Sequence, residues 1–277
     1  MSRTGERIDG RANEALRPIR IETEVSKWAE GSALIHAGDT QVLVTATVEG
    51  RVPPFLAGSG RGWLTAEYSM LPRATSTRSA REVVRGRPSG RTAEIQRLIG
   101  RSLRAGMDLR GLGERTVTVD CDVLQADAGT RTAAITGGWV ATVLALSKLY
   151  LAGDLPDWPV AAQVAAVSVG IVGGAARLDL DYEEDQGAEV DANVVATVDG
   201  RLIEIQGTGE QRPFTRAELD RIVELALEGV VELGRAQSAA VAERLAAVEE
   251  RRHRGARRPA PPRDERSLWR FDPKKPG

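Results

Sequence analysis

The side chains in this 277-residue chain that could do chemistry are arginines and carboxylates, segregated along the sequence. Nine arginines and no lysine fall between Arg73 and Arg104, opposed only by Glu82 and Glu94. Seven acids and no base fall between Asp179 and Asp191. A single run of like charge is ordinarily a solvated face. The consistent choice of arginine points further, because guanidinium forks match phosphate oxygens bidentately and a merely soluble surface could use lysine. The two histidines, His36 and His253, lie far apart with no serine or cysteine motif beside either, so a histidine-activated nucleophile is not expected. Arginines for phosphate and carboxylates for a cation or a proton suit phosphoryl transfer, where catalysis is mostly positioning and charge stabilisation.

Two arginines sit where the backbone can help them. In "QADAGTRTAAITGG" a Gly129-Thr130-Arg131 turn separates an alternating run from a long apolar one. A strand-to-helix turn leaves amide N–H groups free at the positive end of a helix dipole. Thr130, Arg131 and those amides could hold a tetrahedral oxyanion; an ion pair between Arg131 and a distant acid is the alternative. Arg91, in "SGRTAE", has the same local advantage. Arg97, Arg101 and Arg104 fall at i, i+4 and i+7, opposite Ile95, Leu98, Ile99 and Leu103. That stripe reads as a track for a phosphate-rich partner or as the wet side of an amphipathic helix.

Better-known motifs are excluded. A Walker loop needs four residues between its glycines and a Lys-Ser/Thr ending, which this turn lacks. "GIVGGA" lies in a hairpin and opens no helix, so it is not a dinucleotide fingerprint. "DLDYEEDQGAEVD" fails as an EF-hand loop because the sixth position from Asp181 is Gln186. Its crowded carboxylates still suit a hard divalent cation, or an acid kept protonated near neutral pH.

The elements that must position these groups follow from periodicity. "SALIHAGDTQVLVTATVEG" predicts a hairpin around Gly38-Asp39, and "ERTVTVDCDVL" a strand with Val117, Val119, Cys121 and Val123 on one face. "GGWVATVLALSKLYLAG" predicts a helix packed on most sides. A second half opens near Pro159, with hairpins around Gly173-Gly174 and Asp199-Gly200. A long helix with Thr215 as N-cap and Glu218 as capping-box partner closes it. Hairpin-paired strands with helices grouped beside them predict an α+β fold of two similar lobes, residues 1–155 and 159–239.

Composition adds limits. At 42% hydrophobic but only 4% aromatic, the core must be built from Val, Ile, Leu and Ala. The single cysteine, Cys121, excludes an intramolecular disulfide framework and fits a reducing compartment. The first residues carry no apolar signal-peptide region, and no apolar stretch looks long enough to span a bilayer. A cytoplasmic protein without membrane contact is expected. Residues 240–277 are basic and proline-rich and are expected to form a disordered tail.

Several stretches in order between Arg7 and Ala239 resemble one family. "GWLTAEYSMLPRATSTRSARE", "SGRTAEIQRLIGRSLR", "DCDVLQADAGTRTAAITG", "AAVSVGIV", "DLDYEEDQGAEVDANVV" and "IEIQGTGE" are similar to the ribonuclease PH family, phosphate-dependent 3′ exoribonucleases that trim tRNA precursors. The resemblance implies a catalytic domain over residues 1–239 with the ribosomal-protein-S5-domain-2 fold, and a homohexamer built as a trimer of dimers. It also implies reversible chemistry, in which inorganic phosphate attacks the 3′-terminal phosphodiester and releases a nucleoside diphosphate. By the same resemblance, phosphate binding falls on Arg91, Gly129, Thr130 and Arg131. The paired catalytic and metal-associated aspartates fall on Asp185 and Asp191, with Mg²⁺ the expected cation. Arg73, Arg78, Arg81, Arg97 and Arg101 fall on the RNA path, to which the helical stripe adds Arg104. Whether the acids hold the cation or one protonates the leaving 3′-oxygen stays open here.

The rival reading is a catalytically silent, RNA-binding ring subunit of an exosome-like assembly. The joint presence of Arg91, Arg131, Asp185 and Asp191 argues against it, since binding alone does not need the acids. A small-molecule kinase would require a glycine-serine phosphate loop that is missing. The tail beyond Ala240 is longer and more basic than the resemblance requires.

Overall fold

The alternating runs fold into two sheets; the computed structural model describes residues 7–256. β1 (Ile19–Thr23), β2 (Gly31–Ala37) and β3 (Thr40–Glu49) are antiparallel, and Gly38-Asp39 is the turn between the last two. β4 (Trp63–Met70) and β5 (Thr116–Gln125) complete a five-stranded sheet ordered β1-β2-β3-β5-β4. β4 runs parallel to β5 and returns to it through α1 (Gly90–Ala105), so the sheet is mixed. In β5, Val117, Val119, Cys121 and Val123 are buried while Asp120 and Asp122 face away, as strand alternation requires.

The second sheet, ordered β7-β6-β8-β9, is antiparallel throughout: β6 (Val164–Val172), β7 (Ala175–Leu178), β8 (Val190–Thr197) and β9 (Leu202–Gly209). Its hairpins turn at Gly173-Gly174 and Asp199-Gly200. The acidic connection from β7 to β8 is not simply a loop. It winds into α3 (Tyr182–Gly187), because Asp181 and Glu184 form a reciprocal capping box. α4 (Arg216–Ala240) starts at the Thr215–Glu218 capping box and packs on β6 and β1.

Between the sheets lies α2 (Thr130–Ala152), which packs on β2 and β3 on one side and β6 on the other. A helix that is apolar all round must be covered all round. By length and composition α2 could cross a bilayer, contrary to the expectation that no such stretch exists, but 83% of its most apolar window lies inside the protein. Its close approach to β2 depends on Gly31, where a Cβ would stand 2.0 Å from the Ala141 carbonyl oxygen. The core helix therefore fixes where both sheets, and the groups at their ends, stand relative to each other.

The expected tail is corrected over its first part. α4 stops at Val241, and α5 (Ala242–Ala256) packs on α2 with Val241 and Val248 buried and Leu245 against the core. Averaged composition hid this helix, because one narrow apolar stripe is enough when α2 offers the other half of the contact. Arg251 adds to it by lying over the Tyr150 ring and donating to the Leu151 carbonyl. Residues 257–277 lie outside the described part.

Candidate active site

A cleft of about 840 Å³ opens at the N-terminal end of α2, and both charge clusters contribute to it. Arg91, Gly129, Thr130, Arg131, Asp185 and Asp191 all line it. They come from the first turn of α1, the β5–α2 turn, α3 and the start of β8. Residues separated by up to a hundred positions in sequence are thus brought to one wall-to-wall site.

The β5–α2 turn is shaped by two successive left-handed residues, Ala128 (φ 54°) and Gly129 (φ 62°). Glycine takes that conformation at no steric cost. With no side chain at its N-cap, α2 leaves its first-turn amides uncapped, the arrangement that favours an anion. Thr40 clamps the turn by donating to the Ala128 carbonyl at 2.7 Å and accepting from the Asp127 amide at 2.9 Å. The Thr130 hydroxyl is 2.7 Å from the Tyr68 hydroxyl at the end of β4. Arg131 is oriented from the other sheet: its Nη1 donates to Gln206 Oε1 at 3.1 Å and lies 3.6 Å from Glu94. Gln206 itself donates to Glu94 at 2.7 Å. Tyr68 and Gln206 were invisible as site residues in the sequence, although Gln206 follows Glu204 at the two-residue spacing that puts both on one face of β9.

Arg91 is exposed in the opening turn of α1, whose N-cap Ser89 accepts from the Thr92 amide at 3.1 Å. Glu82 supports that turn by accepting from the Ser89 amide and the Thr92 hydroxyl. Facing these arginines are the two aspartates. Burial pushes the Asp185 carboxyl above the ordinary carboxylate range, against the pull of Arg91 and Arg131. Burial, with Asp185 beside it, raises Asp191 to about 6.

Two other acids of the cluster, Glu184 and Asp179, are spent inside the protein. Glu184 is buried and forms a bidentate pair with buried Arg7, at 3.0 and 2.6 Å, and accepts from Arg177 at 2.9 Å. Asp179, itself left-handed at φ 53°, takes Arg17 bidentately at 2.7 and 3.1 Å. Arg17 also donates to the Asp127 carbonyl and lies 3.3 Å from the Asp127 carboxylate, two residues before Gly129. One arginine from the N-terminal segment therefore ties the anion turn to the acidic segment. Nothing in the sequence marks Arg7 and Arg17 for this, since their partners lie over a hundred residues away.

The arginines expected along an RNA path divide. Arg73, Arg78 and Arg81 are exposed on the β4–α1 connection, which also lends Thr75, Ser76 and Thr77 to the cleft. Arg97 is exposed on α1. Arg101 and Arg104 correct the expectation of an open stripe. Arg101 makes a bidentate pair with Glu204 of β9 at 2.5 and 3.0 Å. Arg104 donates to the Leu64 carbonyl at 2.8 Å and lies 4.3 Å over the Trp63 ring, with burial drawing its pKa down. Helical spacing places three arginines on one side but cannot see that strands β4 and β9 already supply partners for two.

Asp191 Oδ1 is buried without a hydrogen-bond partner. That is the mark of a carboxylate awaiting a proton or a cation. Among the described residues no three His, Cys, Asp or Glu side chains gather to hold a metal. The two aspartates fit Mg²⁺ as it is commonly bound, by one or two carboxylates with water and substrate phosphate completing the shell.

The desolvated charge has a consequence for stability. Asp191 titrates at 3.8 ordinarily and at about 6 when folded. Below the lower value it is protonated in both states and costs nothing; the penalty grows as pH rises between the two and is complete above the higher. The full cost is up to about 3 kcal/mol. Asp191→Asn is therefore expected to raise Tm by several degrees at about pH 7.5 in a chelating buffer and to leave it unchanged near pH 3.5. Equal melting of the two proteins at the higher pH would contradict a desolvated Asp191.

Fold and cleft together define a two-lobed α+β protein whose lobes meet at an arginine- and carboxylate-lined site. Comparison makes the class specific: residues 15–148 match domain 1, and residues 162–229 domain 2, of the 3′ exoribonuclease family. The chain belongs to this family, that of RNase PH. It superposes on a chain of the Archaeoglobus fulgidus exosome with RNA bound to the active site, with a TM-score of 0.69 and 24% identity over 83% of this chain and 91% of that one. Rice (Oryza sativa) Rrp46 matches with a TM-score of 0.67 and 19% identity over 83% and 98% of the two chains. An archaeal exosome core chain matches with a TM-score of 0.67 and 23% identity over 84% and 91%. At such identities the likeness is one of fold.

Proposed function

We propose that this protein is a phosphorolytic 3′–5′ exoribonuclease acting on 3′-extended RNAs, tRNA precursors among them, as a homohexameric ring in the cytoplasm. One observation carries the reading: Arg91, Arg131 and the uncapped N-terminus of α2 share a single cleft with two aspartates whose carboxyls are held above their ordinary range, Asp191 with a buried, unpartnered oxygen. A silent RNA-binding subunit has no use for such acids, which repel the RNA backbone. The exosome neighbours support ring assembly and RNA as the polymer.

Arg91, Arg131 and the α2 amides bind inorganic phosphate through charge-assisted bonds and hold it against the 3′-terminal phosphodiester. Fixing two anions together supplies entropy that a free encounter would lose. A phosphate oxygen bonds to the terminal phosphorus as the bond to the upstream 3′-oxygen breaks. The proton of HPO₄²⁻ ends on that 3′-oxygen, so a nucleoside diphosphate and a 3′-hydroxyl leave with no outside acid consumed. Asp185 and Asp191 would hold a Mg²⁺, which when bound screens charge on the reacting phosphoryl oxygens. Arg73, Arg78, Arg81 and Arg97 guide the incoming strand.

The test separates nucleophile from polymer. Arg131→Ala is expected to raise the phosphate concentration for half-maximal rate by about tenfold or more, the scale of one charge-assisted bond, with RNA affinity retained. A defect confined to RNA affinity would move Arg131 to the RNA path and overturn the assignment.

A further inference from the structure

We propose that Tyr182 is the platform on which the 3′-terminal nucleobase stacks, an inference that rests on the exoribonuclease reading of the cleft. Among the described residues lining the cleft, Tyr182 is the sole aromatic. Its side chain is 55% exposed and has no ring partner among the described residues. More than half of the residue is open to the cleft and no other ring covers it, and an unpaired aromatic lining a phosphate-binding cleft is what a base needs.

Its position is fixed by the same machinery that fixes the anion turn. Tyr182 is the first residue of α3, and its amide donates to Asp127 Oδ1 at 3.0 Å. Asp127 lies two residues before Gly129 and is held by Arg17. The ring's backbone is thus bolted to the turn that receives phosphate, so the distance from base platform to reacting group is set by the frame. Asp185 follows one helical turn later, which places ring and carboxylate on the same side of α3. Other side chains of the lining, Gln186, Gln211 and Ser76 among them, carry no aromatic ring. Stacking on one ring accepts every base, and it suits an enzyme that must remove whichever nucleotide comes next.

The probe is a short single-stranded RNA carrying 2-aminopurine as its 3′-terminal base, mixed with protein in phosphate-free buffer so that no phosphorolysis occurs. Wild type and Tyr182→Phe should quench its fluorescence; Tyr182→Ala should not, and should bind about tenfold more weakly. With a 3′-abasic RNA the alanine penalty should vanish, because the partner of the ring is gone. Thermal melts check that the exposed substitution leaves the fold intact. Equal quenching by Tyr182→Ala, or the same penalty on the abasic RNA, would overturn the proposal. Quenching by a wild-type protein that shows no phosphorolysis sinks the proposed activity alone, whereas phosphorolysis of an unquenched probe sinks the stacking alone.

Discussion

Asp185→Asn is expected to lower turnover by about 10²-fold or more while RNA affinity stays near that of wild type. The substitution keeps the shape of the side chain, so α3 and its capping box should be undisturbed. What it removes is a carboxylate charge placed opposite Arg91 and Arg131. If that charge holds a cation or a proton for the transferring group, its loss is felt in the transition state and hardly in the ground state. RNA binding should even gain slightly, because a negative charge beside a phosphodiester has gone. Single-turnover rates at saturating RNA and phosphate, set beside equilibrium binding in phosphate-free buffer, separate these effects. Activity within a fewfold of wild type would remove Asp185 from the reaction.

The second large effect is expected at a side chain that stands behind the cleft and does not line it. Arg17→Ala should cost about 3 kcal/mol of stability, because the buried Asp179 carboxylate loses its bidentate partner and keeps only the residue-17 amide at 2.8 Å and Arg11 at 3.8 Å. For a protein of this size that corresponds to a fall in Tm of roughly 10 °C. Turnover should fall at temperatures where the variant is still folded, since Arg17 also holds Asp127 and through it the turn before Gly129. Arg17→Met combined with Asp179→Asn removes the stranded charge and should recover much of the stability. It should not recover turnover, because the tie between anion turn and acidic segment is still absent. A single variant as stable as wild type would mean that this ion pair balances its own desolvation and holds nothing together.

What was legible in the sequence was local. Val117, Val119, Cys121 and Val123 alternate, Gly173-Gly174 punctuates, and the apolar run of α2 admits only a covered helix, so those elements follow from period and turn chemistry. The Gly-Thr-Arg turn was legible for the same reason. Leu64, Ala66 and Tyr68 in β4 alternate as well, but their parallel pairing with β5 depends on a return through α1 that no short window contains. The sorting of the charges was also beyond reach. Of the seven acids between Asp179 and Asp191, tertiary contacts with Arg7, Arg17 and Arg177 use up Asp179 and Glu184, whereas Asp185 and Asp191 line the cleft. The same sorting gave Arg101 and Arg104 of the basic stripe partners within the fold. From the α4–α5 junction onward, the stripe of Val241, Leu245 and Val248 was diluted by charged neighbours that face water.

Phosphate as nucleophile is the central claim, and the products of a single incubation report on it. A short RNA with a single-stranded 3′ extension is mixed with the full chain and Mg²⁺, with and without inorganic phosphate, and the released nucleotides are separated by charge. Nucleoside diphosphates are expected only when phosphate is present, and excess nucleoside diphosphate should lengthen the RNA instead. Release of nucleoside monophosphates in phosphate-free buffer would make water the nucleophile, and the roles given to Arg91 and Arg131 would be wrong.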